Sequence, residues 1–305
     1  MEVFAKVIFV ILSEAKDLEF TISHEILRSI RSLKMTGSQT FARGSPPTKR
    51  NPMKNITPEE LAGIIHKSSR AVALTGAGIS TESGIPDFRS PGGLWSRYDI
   101  FEYATIRAFE KNPAKVWVML KEMDELMVHA RPNPAHYALA ELERRGRLLG
   151  IITQNVDNLH QEAGSHNVVE YHGNALRFVC LQCKGVWPRE ALDFENTPLY
   201  CYCGGLIKPD VIFFGESPPE EAMFKASAWV MACDLLLLIG TSMEVAPANA
   251  LPQGAKNHGA IIVESNLEHT RLTPYLTDYF LPGPAGEVWP EVMKALQRFE
   301  EGRGG

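Results

Sequence analysis

From Ile56 onward, short all-apolar runs alternate with longer stretches of helical apolar spacing. Thr57, Pro58 and Glu60 form a capping box with proline at the first helical position, which starts a helix over Pro58–Lys67. Helical spacing also runs through Pro113–Ala130 and Pro134–Arg145. The apolar runs Ala71–Thr75, Leu148–Thr153, Val168–Tyr171, Asp234–Gly240, Ala260–Val263 and Tyr279–Leu281 predict strands buried on both sides. Strands of this kind, separated by helices, predict an α/β fold: a parallel sheet with helices on both faces.

Ligands of such sheets bind beyond the carboxyl ends of the strands. The polar signals fall there: Gly76–Arg89, Thr153–Asp157, His172-Gly173, Gly240–Ser242 and Glu264–Asn266 each follow one apolar run. Between the third and fourth runs the alternation stops. Residues 174–215 hold cysteines and aromatics without a clear helix, and predict a small inserted module.

The first 52 residues read as a separate N-terminal extension that is poorly ordered, with a Ser/Thr/Pro/basic tract over Gly37–Pro52. The folded domain is expected to begin at Met53 and run to about residue 300. Net charge is −5, but residues 28–54 carry seven Lys or Arg and no acid, while residues 55–305 carry 22 basic and 31 acidic residues. An acidic body argues against direct sequence-specific binding of nucleic acid. The longest apolar stretch, near Val230–Ile239, is too short and interrupted to span a membrane.

Cys180 and Cys183, then Cys201 and Cys203, form two pairs separated by 17 residues, with Gly204-Gly205 after the last. This is close to the four-thiolate zinc spacing, with a second pair one residue shorter than usual. The alternatives are two disulfides or cysteines that are simply buried; a reducing cytosol disfavours the first. Four thiolates leave no open position for a water, so the ion expected is structural.

Gly76 and Gly78 begin like a dinucleotide-binding turn, but Thr81 stands where the third glycine of that fingerprint belongs. The segments GAGISTESGIPDFR, TQNVDNLHQEAG, YHGN, the cysteine pairs, KPDVIFFGE, GTSMEVAPAN and ESNLEHT together resemble the sirtuin family of NAD-dependent protein deacylases, over about Ile56–Leu296. The resemblance implies a Rossmann-like large domain, a small zinc domain, and NAD and an acyl-lysine protein segment in the cleft between them. It implies that NAD is consumed as co-substrate, releasing nicotinamide and O-acetyl-ADP-ribose, in the cytoplasm.

Site roles carry over residue by residue. Gly76, Ala77 and Gly78 would offer N–H groups to phosphate, and Asp87, Phe88 and Arg89 would serve the nicotinamide, the ribose face and phosphate. Taken without the resemblance, Phe88 is loop packing and Arg89 a surface ion pair. Gln154, Asn155 and Asp157 would orient the ribose and a water, with helix capping ahead of Asn158–Ala163 as the plainer role for the last two. Gly240, Thr241, Ser242 and Asn266 would hold phosphate and the adenosine ribose. His172 is the candidate general base, because it alone of the histidines sits at a strand's carboxyl end beside a glycine, whereas His136 and His160 read as packing or capping.

The protein substrate would add a β-strand along Val211, Phe213, Phe214 and Gly215, a run that otherwise reads as a buried strand. Relatives that remove acidic acyl groups place Tyr and Arg three apart on the helix lining the acyl pocket. The corresponding positions here are Val118 and Lys121, with Trp117, Met119 and Leu120 around them and no arginine, which points to acetyl or a longer apolar chain. A mono-ADP-ribosyltransferase using the same NAD site is the competing activity.

Overall fold

The computed structural model describes residues 53–87 and 93–302. The N-terminal extension over 1–52 and the residues Phe88 and Arg89 lie outside the described residues. In chain order the main elements are β1 (Lys54–Asn55), α1 (Pro58–Lys67), β2 (Ala71–Thr75), α2 (Ile100–Tyr103), α3 (Ile106–Lys111), α4 (Pro113–His129), α5 (Pro134–Arg144) and β3 (Leu148–Thr153). There follow α6 (Leu159–Glu162), β4 (Val168–Glu170), β5 (Gly173–Cys180), β6 (Val186–Pro188) and β7 (Ile207–Val211). The chain ends with α7 (Glu220–Ala232), β8 (Leu235–Ile239), α8 (Leu251–Asn257), β9 (Ile261–Asn266), β10 (Tyr279–Pro282) and α9 (Ala285–Glu301).

Seven strands form one parallel sheet in the order β1-β10-β9-β8-β2-β3-β4. Alternation along each strand sends its side chains to two cores. Ala71, Ala73, Leu235, Leu237 and Ile239 meet Leu61, Ile65, Leu139, Trp289 and Leu296 of α1, α5 and α9 on one face. Val72, Leu74, Leu236, Leu238 and Ile262 meet Val230, Leu251 and Ala255 of α7 and α8 on the other. Thr57 and Glu60 close the predicted capping box on α1, and Asn112 and Asn133 cap α4 and α5.

The order places the carboxyl ends of β9, β8, β2, β3 and β4 side by side, so the expected polar segments share one edge of the sheet. The strand sequence reverses between β2 and β8, because the chain runs from β2 outward to β4 and then returns to the far side of β2. Such a reversal opens a crevice at the strand ends. Here the loops after β2 and β8 narrow it on one side, meeting at backbone distance. The Gly78 N–H donates to Gly240 O at 2.8 Å, and a Cβ on Gly240, whose φ is +59°, would lie 2.2 Å from Ile79 N.

The inserted module is an antiparallel three-stranded sheet, β6-β5-β7. It shares a third core with α3 and α4, in which Phe109, Trp117, Met123, Phe178 and Phe213 are buried. The expected strand over Val211–Gly215 is corrected: β7 stops at Val211. Beyond it the Phe213 N–H donates to the Glu216 carboxylate at 2.9 Å and the Glu216 N–H to Phe213 O at 2.9 Å. The chain turns here, with Gly215 at φ +94°, and Phe214 keeps only an isolated parallel bridge to Thr105.

Gly240→Ala should destabilise the fold by about 3 kcal/mol, because the side chain meets backbone and favours negative φ. Urea unfolding of the variant beside the parent protein checks this; an unchanged midpoint would show that the two loops can separate freely.

Candidate functional site

The strand-end loops converge on Ser80, a residue within the glycine loop that carried no expected role. The Ser80 hydroxyl is buried and donates to Asp157 Oδ2 at 2.7 Å. It accepts from Asn155 Nδ2 at 3.1 Å, and His136 Nε2 lies 3.4 Å away. Asn155 Nδ2 also donates to Gly76 O at 3.1 Å, and Asp157 Oδ1 accepts the Leu159 N–H at 3.0 Å. Asp157 thus turns the chain into α6, whose N-cap is Asn158 without a side-chain bond, and is tied to the glycine loop as well. Burial pushes its carboxyl pKa upward, while the Ser80 and Leu159 hydrogen bonds pull it down.

Beneath this layer the Thr75 hydroxyl donates to Thr153 Oγ1 at 3.0 Å, and His160 Nε2 lies 2.9 Å from Thr75 Oγ1. With that hydroxyl proton committed to Thr153, His160 donates from Nε2. Its ring stands 4.9 Å from that of His136. His136 Nδ1 accepts the Asn133 N–H at 3.3 Å, completing the cap of α5. Burial lowers the pKa of His136 to about 4 and that of His160 well below its usual value, so both are neutral structural members. This agrees with the packing or capping role expected for them.

On the other side of the crevice Gln154 Nε2 donates to Thr241 Oγ1 at 2.8 Å. The Thr241 N–H donates to Asn266 Oδ1 at 3.0 Å, and Asn266 Nδ2 returns a bond to Thr241 O at 3.2 Å. The ends of β3, β8 and β9 are therefore laced together, and Ser242 is exposed beside them. One expected detail is corrected. The Gly76 and Gly78 N–H groups are taken by Ile239 O at 3.1 Å and Gly240 O at 2.8 Å, so neither is open to a phosphate. These glycines permit close approach of two backbones, with Ala77 between them. Asp87 lies at the rim, its carbonyl accepting the Leu94 N–H at 3.1 Å.

His172 follows β4, held there by Gly173, whose φ of +83° turns the chain into β5; a Cβ on Gly173 would stand 1.9 Å from Asp210 O. His172 Nδ1 lies 3.1 Å from Gln154 O, a carbonyl that can only accept. The ring proton is therefore on Nδ1, and Nε2 keeps its lone pair. Burial lowers the imidazole pKa, against a smaller opposing effect of the Gln154 hydrogen bond.

His172 and Gln154 line a cavity of about 270 Å³ whose other walls are mostly apolar, including Val156, Trp117, Leu120, Met123, Met127, Phe178 and Phe213. Val211, Phe214 and Gly215 also line it. Of the expected substrate positions, Phe213 is buried in the third core while Phe214 is exposed. Val118 and Lys121 do not line the cavity, and Val118 is 61% exposed. The helix presents a different face, carrying Trp117, Leu120, Met123 and Asp124.

The sulfur atoms of Cys180, Cys183, Cys201 and Cys203 all lie within 4.8 Å of one another, with Cys180–Cys203 and Cys183–Cys201 both at 3.6 Å. No disulfide joins them. A tetrahedral zinc ion with Zn–S near 2.3 Å needs sulfur atoms about 3.8 Å apart. The donor set fits one structural zinc, held by all four thiolates with no position left for a water. Among the described residues no helix is long and apolar enough to cross a membrane.

Residues 76–247 match the Sir2 family model. The NAD-dependent protein deacylase 2 of Pyrobaculum aerophilum is 48% identical over 238 residues, 78% of this chain and 95% of that protein. A Sir2 homologue solved in complex with NAD superposes with a TM-score of 0.76 at 41% identity, covering 82% of this chain and 98% of its own. A Sir2 structure with deacetylated p53 peptide and 3′-O-acetyl ADP-ribose superposes with a TM-score of 0.74 at 35% identity, covering 78% and 98%.

Two consequences are measurable. The purified protein should carry close to one zinc per chain, and Cys183→Ser should lose it and lower the melting temperature; metal retained by that variant would put the ion elsewhere. In histidine ring NMR, two imidazoles should stay neutral from pH 7 down to about pH 5. Because the folded pKa values of His136 and His160 lie below the unfolded value, their contribution to stability is complete above about pH 6.5 and is lost as pH falls. For His136 alone, with a folded value near 4, the loss by pH 4 is about 3 kcal/mol.

Proposed function

The chain belongs to the Sir2 family, and from that premise we infer that it is an NAD-dependent protein-lysine deacetylase. It consumes NAD and an acetyl-lysine protein, and releases nicotinamide and O-acetyl-ADP-ribose. The observation that carries this reading is the tautomer of His172. An imidazole anchored through Nδ1 to a carbonyl, neutral, and facing an apolar cavity through Nε2 is a general base awaiting a hydroxyl proton.

The catalytic domain is taken as residues 53–300, with the zinc module inserted over about 174–215. His172 accepts the ribose hydroxyl proton at Nε2. Asn155 and Asp157 orient the ribose and a water, and Ser80 keeps both aligned. Ala77, Gln154, Thr241, Ser242 and Asn266 bound the cofactor crevice at the reversal between β2 and β8. Asp87, Phe88 and Arg89 keep the nicotinamide, ribose-face and phosphate roles that the family resemblance assigns.

The backbone from Val211 to Gly215 receives the substrate peptide at the mouth of the cavity. Its walls are apolar apart from His172, Gln154 and the carboxylates Asp124 and Glu216. No cation is among the lining residues, and Arg189 and Lys208 behind the two carboxylates are already paired with them, which favours an uncharged acyl group over succinyl or glutaryl.

Mass spectrometry of a reaction holding the protein, NAD and an acetyl-lysine peptide tests the reading. Nicotinamide and O-acetyl-ADP-ribose are expected in equal amounts, and His172→Ala should lower the rate by about 10²-fold or more. Nicotinamide without loss of the acetyl group would instead identify an ADP-ribosyltransferase.

The pH dependence follows from the base. His172 must be neutral to act, and its pKa lies below the ordinary imidazole value. The acid limb of kcat/KM should therefore fall below about pH 6.5. A limb above pH 7 would assign the rate to another group.

A further inference from the structure

The cavity does not simply thin out at the end remote from His172. Phe178 lies six residues along β5 from the base, at most about 20 Å away by the rise of an extended strand. There the walls are Trp117, Phe178 and Phe194, whose rings meet edge-on or stacked with centroids 5.2 to 6.4 Å apart. Set into this apolar end is a carboxylate, Asp124 of α4.

Asp124 is held by a fork. Arg189 Nε donates to Oδ1 at 2.7 Å and Arg189 Nη2 to Oδ2 at 2.5 Å. The two side chains are 10% and 29% exposed, and the guanidinium carbon lies 4.7 Å from the centroid of the Phe194 ring. Arg189 begins the single turn that follows β6, and Phe194 comes shortly after it. One segment of the cysteine module is thus folded over the end of the cavity and pinned to α4.

A lone pair of charges in an apolar wall is costly unless its geometry is nearly ideal. Here both carboxylate oxygens are used, the guanidinium rests on an aromatic face, and the packing of Phe194 depends on where Arg189 sits. A chain short enough to stop before Phe194 leaves the fork intact. A longer chain must move Phe194 and break the fork, stranding a half-buried charge. The limit on chain length is therefore abrupt. The cavity of about 270 Å³ also receives the lysine stem, and it leaves room for an acyl chain longer than acetyl that ends at Phe194.

We propose that the Asp124–Arg189 fork, with the Phe194 ring beneath it, closes the far end of the acyl pocket and sets the longest apolar acyl chain that this enzyme removes. The inference rests on the deacylase reading and extends it from acetyl to chains of medium length.

The test compares acetyl-, butyryl-, octanoyl- and myristoyl-lysine peptides with NAD and the full-length chain, in the parent protein and in the double variant Asp124→Ala with Arg189→Ala. In the parent, kcat/KM should rise by up to about fourfold for each methylene buried, and then fall, with myristoyl at least about tenfold below octanoyl. In the double variant the myristoyl-to-octanoyl ratio should rise about tenfold or more. A merely structural role for the fork would lower every chain alike and leave that ratio where it was.

A ratio unchanged in the variant, or a parent protein that prefers myristoyl, overturns the proposal. If the double variant loses its zinc or its cooperative unfolding, Phe194→Ala opens the same end without stranding a charge, and the same two outcomes decide. Absence of NAD-dependent turnover with every chain defeats the deacylase reading and this inference together, whereas a flat ratio with intact turnover defeats the inference alone.

Discussion

The contact on which the rest of the site depends is between two pieces of backbone. At the reversal of strand order, the loop after β2 and the turn after β8 meet with a Gly78 N–H to Gly240 O bond, and no side chain fits between them. An open sheet leaves a crevice at this point by topology. This chain narrows it on one side and so lowers the glycine loop onto the strand ends. Ser80 lies two residues beyond that contact, and its buried hydroxyl has Asn155 and Asp157 as partners, which link the loop to the end of β3. Loosening the glycine contact would unseat the polar groups two turns of chain away.

The polar layer under the site shows how those groups are kept rigid. Thr75, Thr153, His160, Ser80, Asn155, Asp157 and His136 are all buried, in a region where each unmatched polar atom is costly. Nearly all their polar atoms are matched, and the exception, His160 Nδ1, is the lone-pair side of a neutral ring. Neutrality is what makes the layer tolerable, since two imidazoles with centroids 4.9 Å apart could not both be charged. His172 differs in position rather than in kind. It is desolvated too, but its free nitrogen faces a cavity where a substrate can lie. A scaffold of satisfied hydroxyls and neutral rings beneath one available base is the arrangement that preorganised proton transfer requires.

Much of this was legible in the chain because it is carried by short-range signals. Fully buried parallel strands show as unbroken apolar runs, and Ala71–Thr75 and Leu148–Thr153 are strands over those same residues. Thr57 caps where its side chain demands it, and the cysteine spacing brought the four sulfurs together. Other features were hidden because they depend on distant partners. Pro290 disguises α9, which begins after Pro284 without a side-chain cap and is held instead by burying Trp289, Val292 and Leu296. The turn after Val211 is closed by Glu216, a carboxylate whose role cannot be read from the aromatic run before it. Ser80 was visible as a small polar residue in a glycine loop, but its buried place depends on distant partners, His136 of α5 and Asn155 and Asp157 after β3. On α4, Trp117, Met119 and Leu120 meet the cavity while Val118 and Lys121 between them do not, because packing against β5 decides which side chains turn inward.

The module between β4 and β8 does more than complete the outline of the molecule. Cys180 and Phe178 lie two residues apart on β5, so their side chains emerge on the same face, and both belong to the core shared with α4. The sulfur cluster therefore fixes the strand that supplies one wall of the acyl cavity. On the neighbouring strand, β6 leads directly into Arg189, whose fork with Asp124 returns to α4. The same sheet is thus tied at one end by four thiolates and at the other by an ion pair, with the apolar cavity between. A three-stranded sheet is stable only when it has a hydrophobic face to bury, here against α3 and α4. Held at both ends, it can present aromatic walls of defined shape to the carboxyl ends of the large sheet. Chemistry then resides at the strand ends of one domain, while the choice of acyl group resides in the packing of the other against α4.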